Sequence, residues 1–180
     1  MEKLPLPSIS SQYQIMPYQG CYAQDVSMIF HDAVQSIKHK CYSEPQLRAW
    51  SHQPRSVQFW DLRLRRTQSW LLLNYDSANP QQTPLCCGFI NLETHFFSRG
   101  YIDCLYVHPK YQGQGFASQL FCIAQNWARS QNYAALTVDA SYLSKGLFLK
   151  HGFEVKFKSY QPKSGQMLPG FFMKKALNKI

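Results

Sequence analysis

A β-prone run passes through a glycine-containing turn directly into an amphipathic helix over Leu105-Tyr-Val-His-Pro-Lys-Tyr-Gln-Gly-Gln-Gly-Phe-Ala-Ser118. A helix start leaves backbone N–H groups unpaired and carries the positive end of the helix dipole, so such a turn suits a phosphate. Gly113 and Gly115 let the chain approach an anion with no side chain in the way. The turn lacks the Gly-Lys-Ser/Thr of a Walker loop, and its spacing is not that of the dinucleotide fingerprint. Two glycines alone also fit a purely structural turn. Histidine as a residue type suits proton transfer near neutrality, which draws notice to His108 and His151, but one stands beside a turn proline and the other at a helix stop, where surface or capping roles are the simpler reading.

The elements around this turn follow from apolar spacing. After a short strand around Tyr13 to Pro17, Val26, Ile29, Phe30, Ala33 and Ile37 recur with helical period. Ser43 and Gln46 form a capping box, with Pro45 in the first turn and Leu47 and Trp50 on the apolar face of a short second helix. Val57 to Thr67 reads as a further helix, although Phe59, Trp60, Leu62 and Leu64 fit neither period cleanly. Trp70 to Tyr75 and Leu85 to Leu92 predict antiparallel strands joined by a long hairpin loop, and Tyr101 to Val107 a fourth strand. Phe116, Leu120, Ile123, Ala124 and Trp127 mark a helix that crosses over to a strand at Leu136 to Val138. Ser141 is the expected cap of a shorter helix carrying Leu143, Leu147 and Phe148, which Gly152 would stop in a left-handed conformation. Phe153, Val155 and Phe157 alternate with charged residues, and Gly170 to Lys174 offers a last strand. A mixed sheet flanked by helices, of the α+β (mixed α/β) class, is the expectation.

Gln112-x-x-Gly115-x-Ala117 resembles the Gln/Arg-x-x-Gly-x-Gly/Ala signature of the GNAT superfamily of N-acetyltransferases, and Val107, Pro109 and Tyr111 stand where residues of those types usually precede it. Lys150-His-Gly-Phe153 is similar to the helix end and Gly-Phe pair that close the same family's cofactor half. The resemblance covers nearly the whole chain, most closely Gly88 to Phe153, and Phe30 to Trp50 is similar to an uncharacterised bacterial subgroup. It implies one GNAT-like domain over residues 1–180, with a mostly antiparallel sheet splayed between its fourth and fifth strands.

The resemblance also implies acetyl-CoA as cosubstrate and no metal. Its pyrophosphate would lie on the N–H groups of Gln114, Gly115, Phe116, Ala117 and Ser118, with Gln112 and Gly113 completing the turn. Its pantetheine arm would run beside Leu105, Tyr106 and Val107, with Phe148 against the cofactor and Lys110 and Lys145 near the phosphates. The acetyl group would pass directly to an amine, read as a primary amine on a small molecule. An ammonium of pKa near ~10 must first lose a proton, and a departing thiolate gains from a donor. Asp103 is the first candidate base and Glu93 the second, although an aspartate in an apolar strand also serves to hold an arginine or a buried N–H. Phe148 stands where many relatives carry a proton-donating tyrosine, so Tyr142, Tyr106 or a water would take that role. Tyr22, His31, Tyr42 and Trp50 are expected to wall the acceptor pocket.

The formal net charge of +9 admits an anionic cofactor, a membrane surface or nucleic acid as partner. The basic residues are scattered apart from Arg63, Arg65 and Arg66, and no nucleic-acid motif is present, which argues against that partner. The six cysteines form no C-x-x-C pair, so free thiols in a reducing compartment are expected rather than zinc or disulfides. No run approaches the ~20 apolar residues of a membrane helix, and Pro5 and Pro7 break any secretory leader. A cytoplasmic monomer or homodimer is the expectation. The alternative function is a catalytically silent acyl-CoA-binding sensor or interaction module.

Overall fold

Strands buried on both faces read as continuous apolar runs, and Ser69-Trp-Leu-Leu-Leu73 is such a run, buried throughout. In the computed structural model, which describes residues 12–75, 81, 83–95 and 98–177, the elements follow in a β/α order. They are β1 (Tyr13–Pro17), α1 (Ala23–Gln35), α2 (Glu44–Trp50), α3 (Val57–Arg65), β2 (Gln68–Asn74), β3 (Leu85–Leu92), β4 (Tyr101–Val107), α4 (Phe116–Ser130), β5 (Ala135–Ala140), α5 (Lys145–Lys150), β6 (Glu154–Lys163) and β7 (Gln166–Ala176). The strands lie in the order β1-β2-β3-β4-β5-β7-β6. All neighbours are antiparallel except β4 and β5, whose parallel pairing the α4 crossover permits. Most of the expected β2–β3 hairpin loop, like residues 1–11, lies outside the described residues.

Side chains alternate between two cores. Trp70, Leu72, Ile90, Ile102, Leu136 and Val138 pack beneath Phe116, Leu120, Phe121 and Ala124 of α4. Leu71, Leu73, Phe89 and Cys104 face the other way, against Val26 and Ile29 of α1 and Trp60 and Leu64 of α3. Each fully buried chain of this size contributes roughly 1.5–3 kcal/mol over leaving it in water. The ambiguous Val57 to Thr67 segment is thereby resolved: only Trp60 and Leu64, four apart, meet the core, while Phe59 and Leu62 face solvent. The Ser43–Gln46 capping box forms as expected. At α5 the expected Ser141 bond also forms, one turn ahead of the regular helix at Lys145: Ser141 Oγ accepts from the Ser144 N–H at 3.1 Å, its own N–H donates to Ser144 Oγ at 3.0 Å, and its carbonyl accepts from the Lys145 N–H at 2.9 Å.

One irregularity reaches the site. Asn91 pairs with Cys104 and Leu92 with Ile102, which leaves Asp103 as the extra residue of a bulge in β4. Asp103 and Cys104 consequently both turn toward α3, one to Arg63 and the other into the core.

Candidate active site

The sheet opens where the chain was expected to splay. β4 and β5 pair only at Tyr101–Thr137 and Ile102–Val138, so Leu105 to Val107 have no partner on that side. The His108 N–H donates to Cys87 O at 2.8 Å. Antiparallel alternation therefore turns the polar groups of Tyr106 toward β3 and those of Leu105 and Val107 into the fork. Gln112 closes the end of this run, with Nε2 donating to Val107 O at 2.9 Å.

The turn after β4 has the conformation its glycines permit. Gly113 and Gly115 have φ of 77° and 82°, in the left-handed region. Gly115 is the N-cap of α4 and no side chain caps the helix. A Cβ at Gly113 or Gly115 would meet no atom within 4 Å, so the space beside both is open. The N–H groups of Phe116, Ala117 and Ser118 thus stand at the positive end of the helix with no side-chain cap, a geometry that suits an anion.

A cavity of about 320 Å³ runs from the fork to the helices above it. Leu105, Tyr106, Val107, Gln112, Ala117 and Phe148 line it, together with Asp103, Asp139, Trp50 and the end of α1 at Ser36 and Ile37. Phe148 is buried and its ring meets Phe121 and Phe153. Lys145 lies over the Phe171 ring at 4.0 Å, and Lys110 is exposed beside the turn.

The proposed proton-transfer residues are not equally placed. Asp103 lines the cavity, but Arg63 grips its carboxylate with Nε at 2.9 Å and Nη2 at 2.7 Å. Asn91 Nδ2 also donates to it, at 3.2 Å. Glu93 lies beyond the cavity wall, and burial followed by the Asp103 charge pushes its carboxyl above the ordinary value. Tyr142 belongs to an aromatic cluster with His39, Tyr42 and Phe171. Tyr106 accepts a hydrogen bond from Trp50 Nε1 at 3.1 Å, and burial raises its pKa well above that of free tyrosine.

Of the expected acceptor walls, Trp50 reaches the cavity while Tyr22 lies in the α1–α3 core and His31 meets Ser51 Oγ at 2.9 Å. Tyr42 lies outside the cavity lining and ties distant parts of the chain together: its hydroxyl donates to Pro169 O and accepts from the Tyr142 N–H. Gln46 adds a bond from Nε2 to Met167 O at 2.8 Å. Sequence reading missed Arg63, Tyr101 and Asp139, since only their partners across the fold mark them.

His151 also sits closer to the turn than a helix-stop residue suggests. Its Nε2 lies 2.9 Å from Ser118 Oγ, while Lys175 Nζ bonds the His151 carbonyl and Gln125 Oε1. Burial, then the charges of Lys175 and Lys150, hold the imidazole below its ordinary 6.5. A native histidine with a depressed pKa binds fewer protons than the unfolded chain below about pH 6.5, so stability falls as pH drops through that value toward the native pKa. His151→Gln is expected to flatten this decline, as measured by urea midpoints from neutral pH to about pH 5.

Residues 31–153 match the family model described as Acetyltransferase (GNAT) family. The chain is 31% identical over 161 residues to the uncharacterized N-acetyltransferase YafP of Escherichia coli (strain K12), covering 89% of this chain and 94% of that protein. A GCN5-related N-acetyltransferase from Rhodopseudomonas palustris, described as "Aminotransferase, Class-II", superposes with a TM-score of 0.80 at 26% identity, over 94% of this chain and 99% of that one. The acetyltransferase yncA of Salmonella typhimurium, solved with its cofactor acetyl-CoA, shares the fold with a TM-score of 0.66 at 16% identity, over 94% and 96%. The forked sheet, the left-handed turn into α4 and these matches together establish that the chain belongs to the GNAT family of acetyltransferases.

Proposed function

We propose that this protein transfers acetyl from acetyl-CoA directly to a primary amine on a small molecule. The observation that carries the reading is the parting of β4 from β5 after Ile102–Val138, which opens onto the uncapped left-handed start of α4. The open space beside Gly113 and Gly115 fits a diphosphate on the N–H groups of Gln114 to Ser118. Leu105 and Val107 present amides to a pantetheine arm, and the bond from Gln112 to Val107 O keeps that strand end straight. A fold relative from Thermoplasma acidophilum solved in complex with coenzyme A supports the same cosubstrate.

Bound acetyl-CoA supplies a thioester, an acyl donor with a thiolate leaving group. The protein's own part is to hold the amine, accept its proton and shield the site. A backbone N–H near Val107 is the donor for negative charge developing on the acyl oxygen. Of the two carboxylates on the cavity wall, Asp103 is paired with Arg63, so Asp139 is the one left to draw an ammonium group inward. Trp50, Ile37 and Tyr106 give the cavity an apolar wall suited to a small amine. The unpaired cysteines fit a reducing, cytoplasmic compartment.

The test is thiol release from acetyl-CoA across a panel of primary amines, with coenzyme A affinity measured by calorimetry. Amine-dependent release is the expected result; failure to bind coenzyme A would falsify the reading. A silent acyl-CoA-binding module is the second reading, favoured by Phe148 at a tyrosine position and by Tyr142 lying outside the cavity wall. Binding without release over the whole panel would identify it.

A further inference from the structure

The last paired residues of the fork are each followed by an aspartate: Asp103 after Ile102 and Asp139 after Val138. Ile102 and Val138 both pack under α4, so the pleat turns the next side chain of each strand to the opposite face. Two carboxylates thus flank the point where the strands part, and both residues line the cavity.

Their surroundings differ. Both oxygens of Asp103 are engaged by Arg63, and Oδ2 also accepts from Asn91. Asp139 accepts one bond among the described residues, from the Tyr101 hydroxyl to Oδ2 at 3.1 Å. Two like charges at one fork would compete for ionisation, but the Arg63 guanidinium neutralises one of them. Carboxylates divided in this way take separate roles, one a fixed charge and the other a proton carrier.

We propose that Asp139, positioned by Tyr101, accepts the proton of the acceptor amine, while Asp103 and Arg63 hold the β4 bulge in place. The inference rests on the acetyl-transfer reading above. In the step, the ammonium first loses one proton to Asp139 Oδ1, the freed nitrogen lone pair forms a new nitrogen–carbon bond as the carbon–sulfur bond breaks, the bonding pair leaves on sulfur, and the second nitrogen proton passes to the departing thiolate. Among the described residues, the other ionisable groups lining the cavity with Asp139 are Asp103, which Arg63 pairs from α3, Tyr106 on β4 and Lys38 just past α1, while Lys174 on β7 borders the adjoining hollow with Tyr101. Its partner across the β5–β7 ladder, Phe172, carries no charge.

The experiment uses the full chain, saturating acetyl-CoA and phenethylamine as probe, with thiol release followed against pH. Asp139→Asn should lower kcat/KM for the amine about 100-fold or more and abolish the acidic limb of the profile. Coenzyme A affinity should stay within about twofold of the parent, and Asp139→Glu should restore part of the rate. Tyr101→Phe removes a bond to the ionised carboxylate, so the acidic limb should move to higher pH. If Asp139→Asn does not fold, the limbs of Asp139→Glu and Tyr101→Phe decide instead, and unmoved limbs overturn the assignment. An Asp139→Asn enzyme with the parent's rate and profile overturns it while leaving acetyl transfer standing. A parent protein that never releases thiol with this or any other primary amine overturns the underlying reading, and the inference with it.

Discussion

Gly115→Val is expected to weaken coenzyme A binding at least about 100-fold, because the new side chain fills the open space beside the α4 N–H groups. The glycine sits at φ 82°, where a β-branched residue is strained. Its Cβ would nevertheless meet no protein atom within 4 Å. The cost to the fold is therefore backbone strain alone, about 1–3 kcal/mol. Binding and stability should separate: calorimetry would show affinity lost, while a urea transition would show a protein still folded. Retention of full affinity by a folded variant would place the diphosphate elsewhere.

Asp103→Asn should act mainly on the scaffold. The substitution leaves a guanidinium facing a neutral amide in a half-buried site, where the side chains of Arg63 and Asp103 are 37% and 15% exposed. A deeply buried pair broken on one side costs more, but solvent reaches Arg63, so about 2 kcal/mol is expected. Turnover should fall roughly tenfold through loosening of the bulge, equivalent to about 1.4 kcal/mol of barrier. Coenzyme A affinity should be nearly unchanged, since the α4 turn is built separately. Urea denaturation checks the first effect, and an unaltered midpoint would show that the ion pair adds nothing to the fold.

The α4 turn was legible in the sequence because everything that shapes it is local. Two glycines before a helical apolar period specify both the left-handed residues and the open helix start. The fork was legible only through the family resemblance, since strand separation leaves no pattern in either strand. Arg63 could not be read as the partner of Asp103, because they stand forty positions apart with strands β2 and β3 between them. Asp139 carries a signal only once strand register is known: it stands one residue past the last parallel pair, as Asp103 does. The cap before α5 was legible because it too is local: Ser141 and Ser144, three residues apart, exchange backbone-to-side-chain bonds, and the regular helix follows at Lys145. Helix α3 was difficult because its apolar residues exceed what its buried stripe uses.

The Tyr42 and Gln46 bonds to Pro169, Tyr142 and Met167 have a consequence for the order in which the fold is assembled. They span sequence separations of 127, 100 and 121 residues. Contacts of such long range close late, after large losses of chain freedom, whereas the α4 turn needs only neighbouring residues. During synthesis the turn into α4 can be complete before α2 is tied to the β6–β7 hairpin. Divergence has the same freedom, since α2 and that hairpin can exchange residues with each other without disturbing the start of α4.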